Sequence, residues 1–205
     1  MKDMTKKIAL TAVITTCSFL VMAGSAWAAS RFVTAAPKVY DRDRTRVITA
    51  KWMANVGTVG VDTRDGGKFA VFLQKTGATV GTNSSADINL KGTPGLTITE
   101  LGFDYRNDGR CSGGSPRFTV ETNLGTYFFG CSGGTHTAVP GNSSWTRVRF
   151  ALSDAQGGPM PANAVVDFMQ ITFDEGTDQG QGFAYIDNID VNGTIMSKPG
   201  SVKFP

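Results

Sequence analysis

The sequence predicts an all-β protein, an antiparallel β-sandwich of the jelly-roll kind with one disulfide, and three observations predict it. Short segments in which apolar and polar residues alternate recur along the chain. Glycine-rich turns separate them, with 24 of the 25 glycines lying beyond residue 28. No segment after residue 28 keeps an apolar period of 3.6 over three turns, so helices have nothing to be built from.

The chain opens with a segment that stands outside the fold. Lys2, Lys6 and Lys7 precede a largely apolar run from Ile8 to Met22, and Ala26-Trp27-Ala28 places small residues where a signal peptidase reads them. Residues 1–28 are therefore expected to be a signal peptide, which makes the protein secreted or periplasmic and leaves no membrane anchor after cleavage. A membrane-anchor helix is the competing reading, but the run is short for a bilayer and ends in Gly24-Ser25. A lipid anchor on Cys17 fits less well, because Ile14-Thr15-Thr16 lacks the small residue such a site needs.

The 20 Lys and Arg against 17 Asp and Glu of the whole chain lose three Lys and one Asp with that segment, which leaves 17 against 16. A near-neutral domain gives no electrostatic reason to bind nucleic acid or an anionic membrane. Residues 29–193 are expected to form the sandwich domain and residues 194–205 a C-terminal tail, which has no closing hydrophobic segment. The mixed-charge cluster from Lys38 to Arg46 reads as a solvated segment.

Arg46–Ala54 holds Val47, Ile48, Trp52 and Met53, and Lys68–Lys75 holds Phe69-Ala70-Val71-Phe72-Leu73; both read as strands. Ser84–Leu90 adds a short one, stopped by Gly92-Thr93-Pro94-Gly95. Leu96 and Ile98 lie on one parity and Leu101, Phe103 and Tyr105 on the other, which calls for a bulge near Gly102 or for a strand buried on both sides. Phe118, Val120 and Thr122 alternate with Arg117, Thr119 and Glu121, and Tyr127, Phe129 and Cys131 share a face of the next strand. With Leu124-Gly125 as the loop, Phe129 falls opposite Val120 and Cys131 opposite Phe118.

Trp145–Leu152 alternates Val148, Phe150 and Leu152 with Arg147 and Arg149. Val165–Phe173 presents Met169, Ile171 and Phe173 on one face, the acidic glycine-rich loop Asp174–Gly182 follows, and Phe183–Val191 closes the fold. Cys111 and Cys131 remain after export, an even number in an oxidising compartment, so a disulfide between them is expected. It closes a loop of about 21 residues, worth roughly 3 kcal/mol by chain entropy.

The ending Phe183-Ala184-Tyr185-Ile186-Asp187-Asn188-Ile189-Asp190-Val191-Asn192-Gly193 resembles the last strand of galactose-binding-like jelly-roll domains of the carbohydrate-binding-module type. Taken with Ser115–Val120 and Phe173–Asp178, the stretch from Leu96 to Gly193 is similar to a group of secreted bacterial proteins. The resemblance implies carbohydrate recognition, with extracellular polysaccharide or a cell-surface glycan as partner, and a structural calcium ion in many members. Trp145, Tyr105, Tyr127 and Trp52 are the candidate sugar-stacking residues, with core packing as the competing reading; Trp145 leads because the loop Gly141–Ser144 precedes it.

Chemistry of other kinds finds little footing, and no residue is assigned as catalytic. Gly130-Cys131-Ser132-Gly133-Gly134 matches G-x-S-x-G with His136 nearby, but a nucleophile needs a strand-to-helix elbow and no helical pattern follows. One histidine and two paired cysteines leave too few ligands for zinc. Asp104–Ser115 fails as an EF-hand loop at Arg106 and Ser115. A non-catalytic binding domain for extracellular carbohydrate is thus the first reading, a surface or matrix structural protein the second, and a glycan-active enzyme with a facing pair of carboxylates the third.

Asp187 poses a separate question. It shares parity with Phe183, Tyr185, Ile189 and Val191, so an unbroken strand would turn a carboxylate into the core. An arginine such as Arg117 or another hydrogen-bond partner, a bulge, or a calcium ion shared with Asp174, Glu175 and Asp178 would each resolve it.

Overall fold

The computed structural model describes residues 31–59, 67–76, 84–112, 114–174 and 181–204. Over these residues the alternation becomes strands: β1 (Phe32–Asp41), β2 (Ile48–Ala54), β3 (Phe69–Thr76), β4 (Ser84–Lys91), β5 (Leu101–Arg106), β6 (Arg117–Thr122), β7 (Gly125–Gly130), β8 (Thr135–Val139), β9 (Asn142–Phe150), β10 (Val166–Phe173), β11 (Gln181–Val191), β12 (Thr194–Met196) and β13 (Ser201–Lys203). Two antiparallel sheets form. The first runs β13-β1-β4-β10-β6-β7, the second β2-β3-β11-β5-β9-β8 with β12 on β11. Most neighbours in a sheet come from distant parts of the chain, and the two inner faces meet in one apolar core, so the molecule is a β-sandwich as the sequence predicts.

Both sheets feed that core by period-two alternation. Ala86, Ile88 and Leu90 of β4 and Met169, Ile171 and Phe173 of β10 point inward from the first sheet; Leu101 and Phe103 of β5 and Val148 and Phe150 of β9 do so from the second. Phe118 and Phe129 from the first sheet meet Phe103 and Phe150 from the second at ring-centroid distances of 5.7 to 6.0 Å. Such pairs add about 0.5–1.5 kcal/mol each beyond the area they bury. The Cys111–Cys131 disulfide is present, with Cys131 in the core, and ties the loop before β6 to the end of β7.

The β6–β7 hairpin differs from expectation by two residues. Phe118 pairs with Phe129, Val120 with Tyr127 and Thr122 with Gly125, so the loop is Asn123-Leu124. The Thr122 hydroxyl accepts the Leu124 N–H at 3.1 Å and donates to the Gly125 carbonyl at 2.9 Å, which closes the turn one step earlier than glycine chemistry alone suggests. A slip of two preserves every face, which is why the apolar pattern could not detect it.

The parity change near Leu101 needs no bulge there, and β5 is buried on both faces from Leu101 to Asp104. Thr97 makes only an isolated bridge to Val165, and β5 begins at Leu101, so Ile98 belongs to a connection that reaches the core independently. The bulge lies in β11 instead: Asp187 faces Asp104, then Asp190 faces Gly102, with Asn188 at φ +46° between them. Ala184 and Ile186 face inward before it, and Ile189 and Val191 after it. Phe183, Tyr185 and Asp187 therefore share the outer face, and the carboxylate never enters the core.

Residues 194–205 are not a loose tail over their described part. β12 pairs with β11 and β13 with β1, burying Met196 and Val202. Strands of three residues are too short for alternation to show in a sequence. β1 was equally hidden, because its exposed Lys38, Val39 and Tyr40 lie on an outer strand where charge and apolar residues mix.

Candidate functional site

The outer face of the first sheet is unusual for a surface: its polar side chains are buried. Along β4, Ser85, Asp87 and Asn89 point away from the core while Ala86, Ile88 and Leu90 point into it. Pairing sets them in cross-strand rows. Lys38, Asp87, Thr172 and Arg117 lie side by side across β1, β4, β10 and β6; Ala36, Asn89, Gln170, Thr119 and Phe128 form the next row, reaching β7. Phe168 and Glu121 follow one step along. Asp87 is only 3% exposed and Thr172 4%, so the middle of this face is recessed.

Most groups there are partly satisfied by one another. Ser85 donates to Asp87 Oδ2 at 3.0 Å, Gln170 Nε2 donates to the Thr172 hydroxyl at 2.9 Å, and the Thr172 and Thr119 hydroxyls stand 3.4 Å apart. Arg117 grips Asp174 with two bonds of 2.6 Å, donates to the Gly114 carbonyl and sits 5.7 Å from the Phe128 ring centroid. Buried Lys75 reaches the carbonyls of Ser84 and Asp174, pinning the ends of β4 and β10 together.

Two acceptors stay open. Asp87 Oδ1 and Asn89 Oδ1 are both buried and neither accepts a hydrogen bond. An orphaned buried acceptor costs on the order of 1–3 kcal/mol, and more when charged, so two at alternate positions of one strand favour a donor from water or a bound molecule. Burial pushes the Asp87 carboxyl above its ordinary value, against the pull of the Ser85 bond, the nearby Thr172 hydroxyl and the Lys38 charge. Beside Asn89 opens a pocket of about 260 Å³ bounded by Lys91, the loop Gly92-Thr93-Pro94 and Phe168.

The residues expected from sequence to bind sugar are elsewhere. Trp145 is 3% exposed and packs with Ala70 and Val139, under Val56 and Tyr185, on the outer side of the second sheet, so the loop before it does not expose it. Trp52 lies against the main core and donates from Nε1 to the Ala35 carbonyl at 3.2 Å. Tyr127 also packs on the core, and Tyr105 bonds through its hydroxyl to His136 Nδ1 at 3.1 Å across the β5–β9–β8 edge. The four are not brought together.

Of the four residues expected to share a calcium ion, the two that are described lie apart. Asp174 is held by Arg117, and Asp187 lies in the other sheet, where Oδ2 accepts the Thr58 N–H at 2.8 Å and Oδ1 the Asn188 N–H at 2.7 Å. Arg117 is thus a partner of Asp174 and not of Asp187. Glu175 and Asp178 lie outside the described residues, among which no group of three or more His, Cys, Asp or Glu is placed to hold a metal ion. Ser132 stands in a single 3-10 turn, Cys131–Gly133, followed by strand β8, so the G-x-S-x-G match is not an elbow.

Asp87, Asn89, Thr119, Gln170 and Thr172 were missed because an alternating polar face ordinarily means solvent. The available signal was its quality: Ser85, Asp87, Asn89, Gln170 and Thr172 are short hydroxyl, amide and carboxylate groups where a solvated face would favour lysine and glutamate.

No protein-family model matches the sequence, and no curated protein does. Among solved structures, the chain is similar to the family 11 carbohydrate-binding module of the cellulosomal cellulase Lic26A-Cel5E of Clostridium thermocellum. That likeness has a TM-score of 0.45 and 12% identity, and it covers 80% of this chain and 88% of that one. Among the described residues no helix is long and apolar enough to cross a membrane.

Proposed function

We propose that the protein is a secreted, non-catalytic binding domain for extracellular carbohydrate, and that the outer face of the first sheet is its binding surface. The observation that carries this reading is the pair of buried, unpartnered acceptors Asp87 Oδ1 and Asn89 Oδ1 on that face. They ask for a ligand rich in donors. An anion is disfavoured, because both open groups are acceptors and the nearest guanidinium is spent on Asp174. An apolar ligand would leave the acceptors buried and unsatisfied.

A sugar meets both demands, since its hydroxyls donate while its C–H faces lie on rings such as Phe128 and Phe168. Adjacent strands stand about 4.8 Å apart, close to the length of one pyranose unit, so a glycan crossing the strands would offer about one sugar per strand.

The test is binding of the purified domain to a panel of neutral soluble polysaccharides by affinity electrophoresis and calorimetry. At least one is expected to retain it, and Asp87→Ala to weaken that binding by about ten- to a hundredfold, as loss of a bond to a charged acceptor implies. Failure to bind any member of the panel, or binding untouched by Asp87→Ala and Phe128→Ala, would refute the assignment.

A further inference from the structure

We infer that the pocket beside Asn89 is a subsite for a 2-acetamido sugar, a proposal that rests on the carbohydrate-binding reading above. The pocket combines two features that a plain hydroxyl does not use together: a buried acceptor without a donor at Asn89 Oδ1, and an apolar recess of about 260 Å³ walled by Phe168 and Pro94. The volume suits one substituted sugar ring and falls below the range usual for drug-sized ligands. An acetamido group carries an amide N–H next to a methyl. Its N–H would donate to Asn89 Oδ1 while the methyl fills the recess, and the exposed Lys91 at the rim can donate to its carbonyl.

The recess is preformed. The Thr93 hydroxyl donates to the Leu90 carbonyl at 2.7 Å, the Gly95 N–H to Val166 at 2.6 Å and the Leu96 N–H to Thr93 at 3.1 Å, which fixes the 92–95 turn from inside. Gly92 holds φ +83° with its α-carbon against the Phe32 carbonyl, where a side chain has no room. A pocket whose wall needs no ordering on binding loses little affinity to entropy.

The experiment uses three β-1,4-linked tetramers that differ only at C2: those of N-acetylglucosamine, glucosamine and glucose. Calorimetric titration of the full domain is expected to show the N-acetyl tetramer binding at least tenfold tighter than the glucose tetramer, with the glucosamine tetramer no better than glucose. Asn89→Leu and Phe168→Ala should each erase the preference, whereas Asn89→Asp, which keeps the acceptor oxygen, should retain it; thermal melts of each variant confirm that it is folded.

Equal affinities, a preference for the free amine, or a preference that survives Asn89→Leu in a folded variant would overturn the subsite. If no tetramer binds while another neutral polysaccharide does, the subsite fails alone. If no glycan binds at all, it fails together with the reading it rests on.

Discussion

The outer faces of the two sheets bury similar chemistry to opposite ends. On the second sheet Asp104 is fully buried, yet its oxygens accept from Arg147 at 3.0 and 3.2 Å and from the Asn188 amide at 2.9 Å, with Arg149 3.8 Å away. The segment after β2 folds over this face. Its Thr58 N–H reaches Asp187, Asn142 donates to the Thr58 hydroxyl at 3.1 Å, and Val56 packs on Trp145.

On the first sheet Asp87 is 3% exposed, yet one of its oxygens has no partner within the chain. Asn188 Oδ1, beneath Thr58 on the covered face, is also without a partner, as are Ser115 Oγ and Thr194 Oγ1. Asp104 is a buried carboxylate whose partners the chain supplies in full, and Asp87 one whose partners it supplies in part.

The sharpest way to break this comparison is to remove a partner on the covered face. Asp104→Ala leaves Arg147 and Arg149 without their shared carboxylate, and breaking a buried pair from one side is expected to cost about 3–5 kcal/mol in urea unfolding. A loss below about 1 kcal/mol would mean that the covered face is not held by its charges.

Asp190, on the same face, gives a smaller and pH-dependent effect. Burial, opposed by Arg149 at 3.5 Å, raises its carboxyl to about 6. A folded value above the unfolded 3.8 means that the native state holds the proton more tightly, so this group's contribution to stability is present at low pH and falls away as pH rises from about 4 to about 6. Asp190→Asn is expected to flatten that slope, by at most about 3 kcal/mol between pH 4 and pH 7. Parallel stability profiles for the two proteins would remove Asp190 as the source.

Asp87→Asn should have the smallest effect on stability and the largest on function. It replaces an unpaired buried charge with a neutral amide of the same shape, so stability at pH 7 is expected to stay level or rise by about 1 kcal/mol while glycan affinity falls at least tenfold. Loss of stability comparable to that of Asp104→Ala would show that the two faces do not differ in kind.

What the sequence made legible follows the same division. Strands whose inner and outer faces differ in polarity were readable from β2 to β11, β8 excepted, whose first four residues are all exposed, and the Cys111–Cys131 bond from parity of count. Faces survive a two-residue slip, so the β6–β7 register was not readable, and a bulge that swaps faces within β11 placed Tyr185 and Asp187 on the wrong side. Trp145 shows the limit from the other direction: a loop precedes it in sequence, but a different loop, some ninety residues upstream, covers it. Recess is a property of the sheet as a whole. Within Ser84–Lys91 the only sign of it is the absence of long charged side chains from Ser85, Asp87 and Asn89.

The pairing of β1 with β13 sets how the domain responds to mechanical load. Phe32 lies opposite Lys203, followed by Val33 opposite Val202 and Thr34 opposite Ser201. Tension applied between these two ends would pull the antiparallel pair apart rung by rung, as a zipper opens, because the force meets one set of hydrogen bonds at a time instead of shearing them all together. Three paired rungs and the bond from the Phe204 N–H to the Arg31 carbonyl resist before β13 is free, whereas the pairing of β1 with β4 extends over eight. Stretching would therefore strip the terminal strand at low force and leave Asp87 and Asn89, on the far side of β1, still seated in an intact sheet.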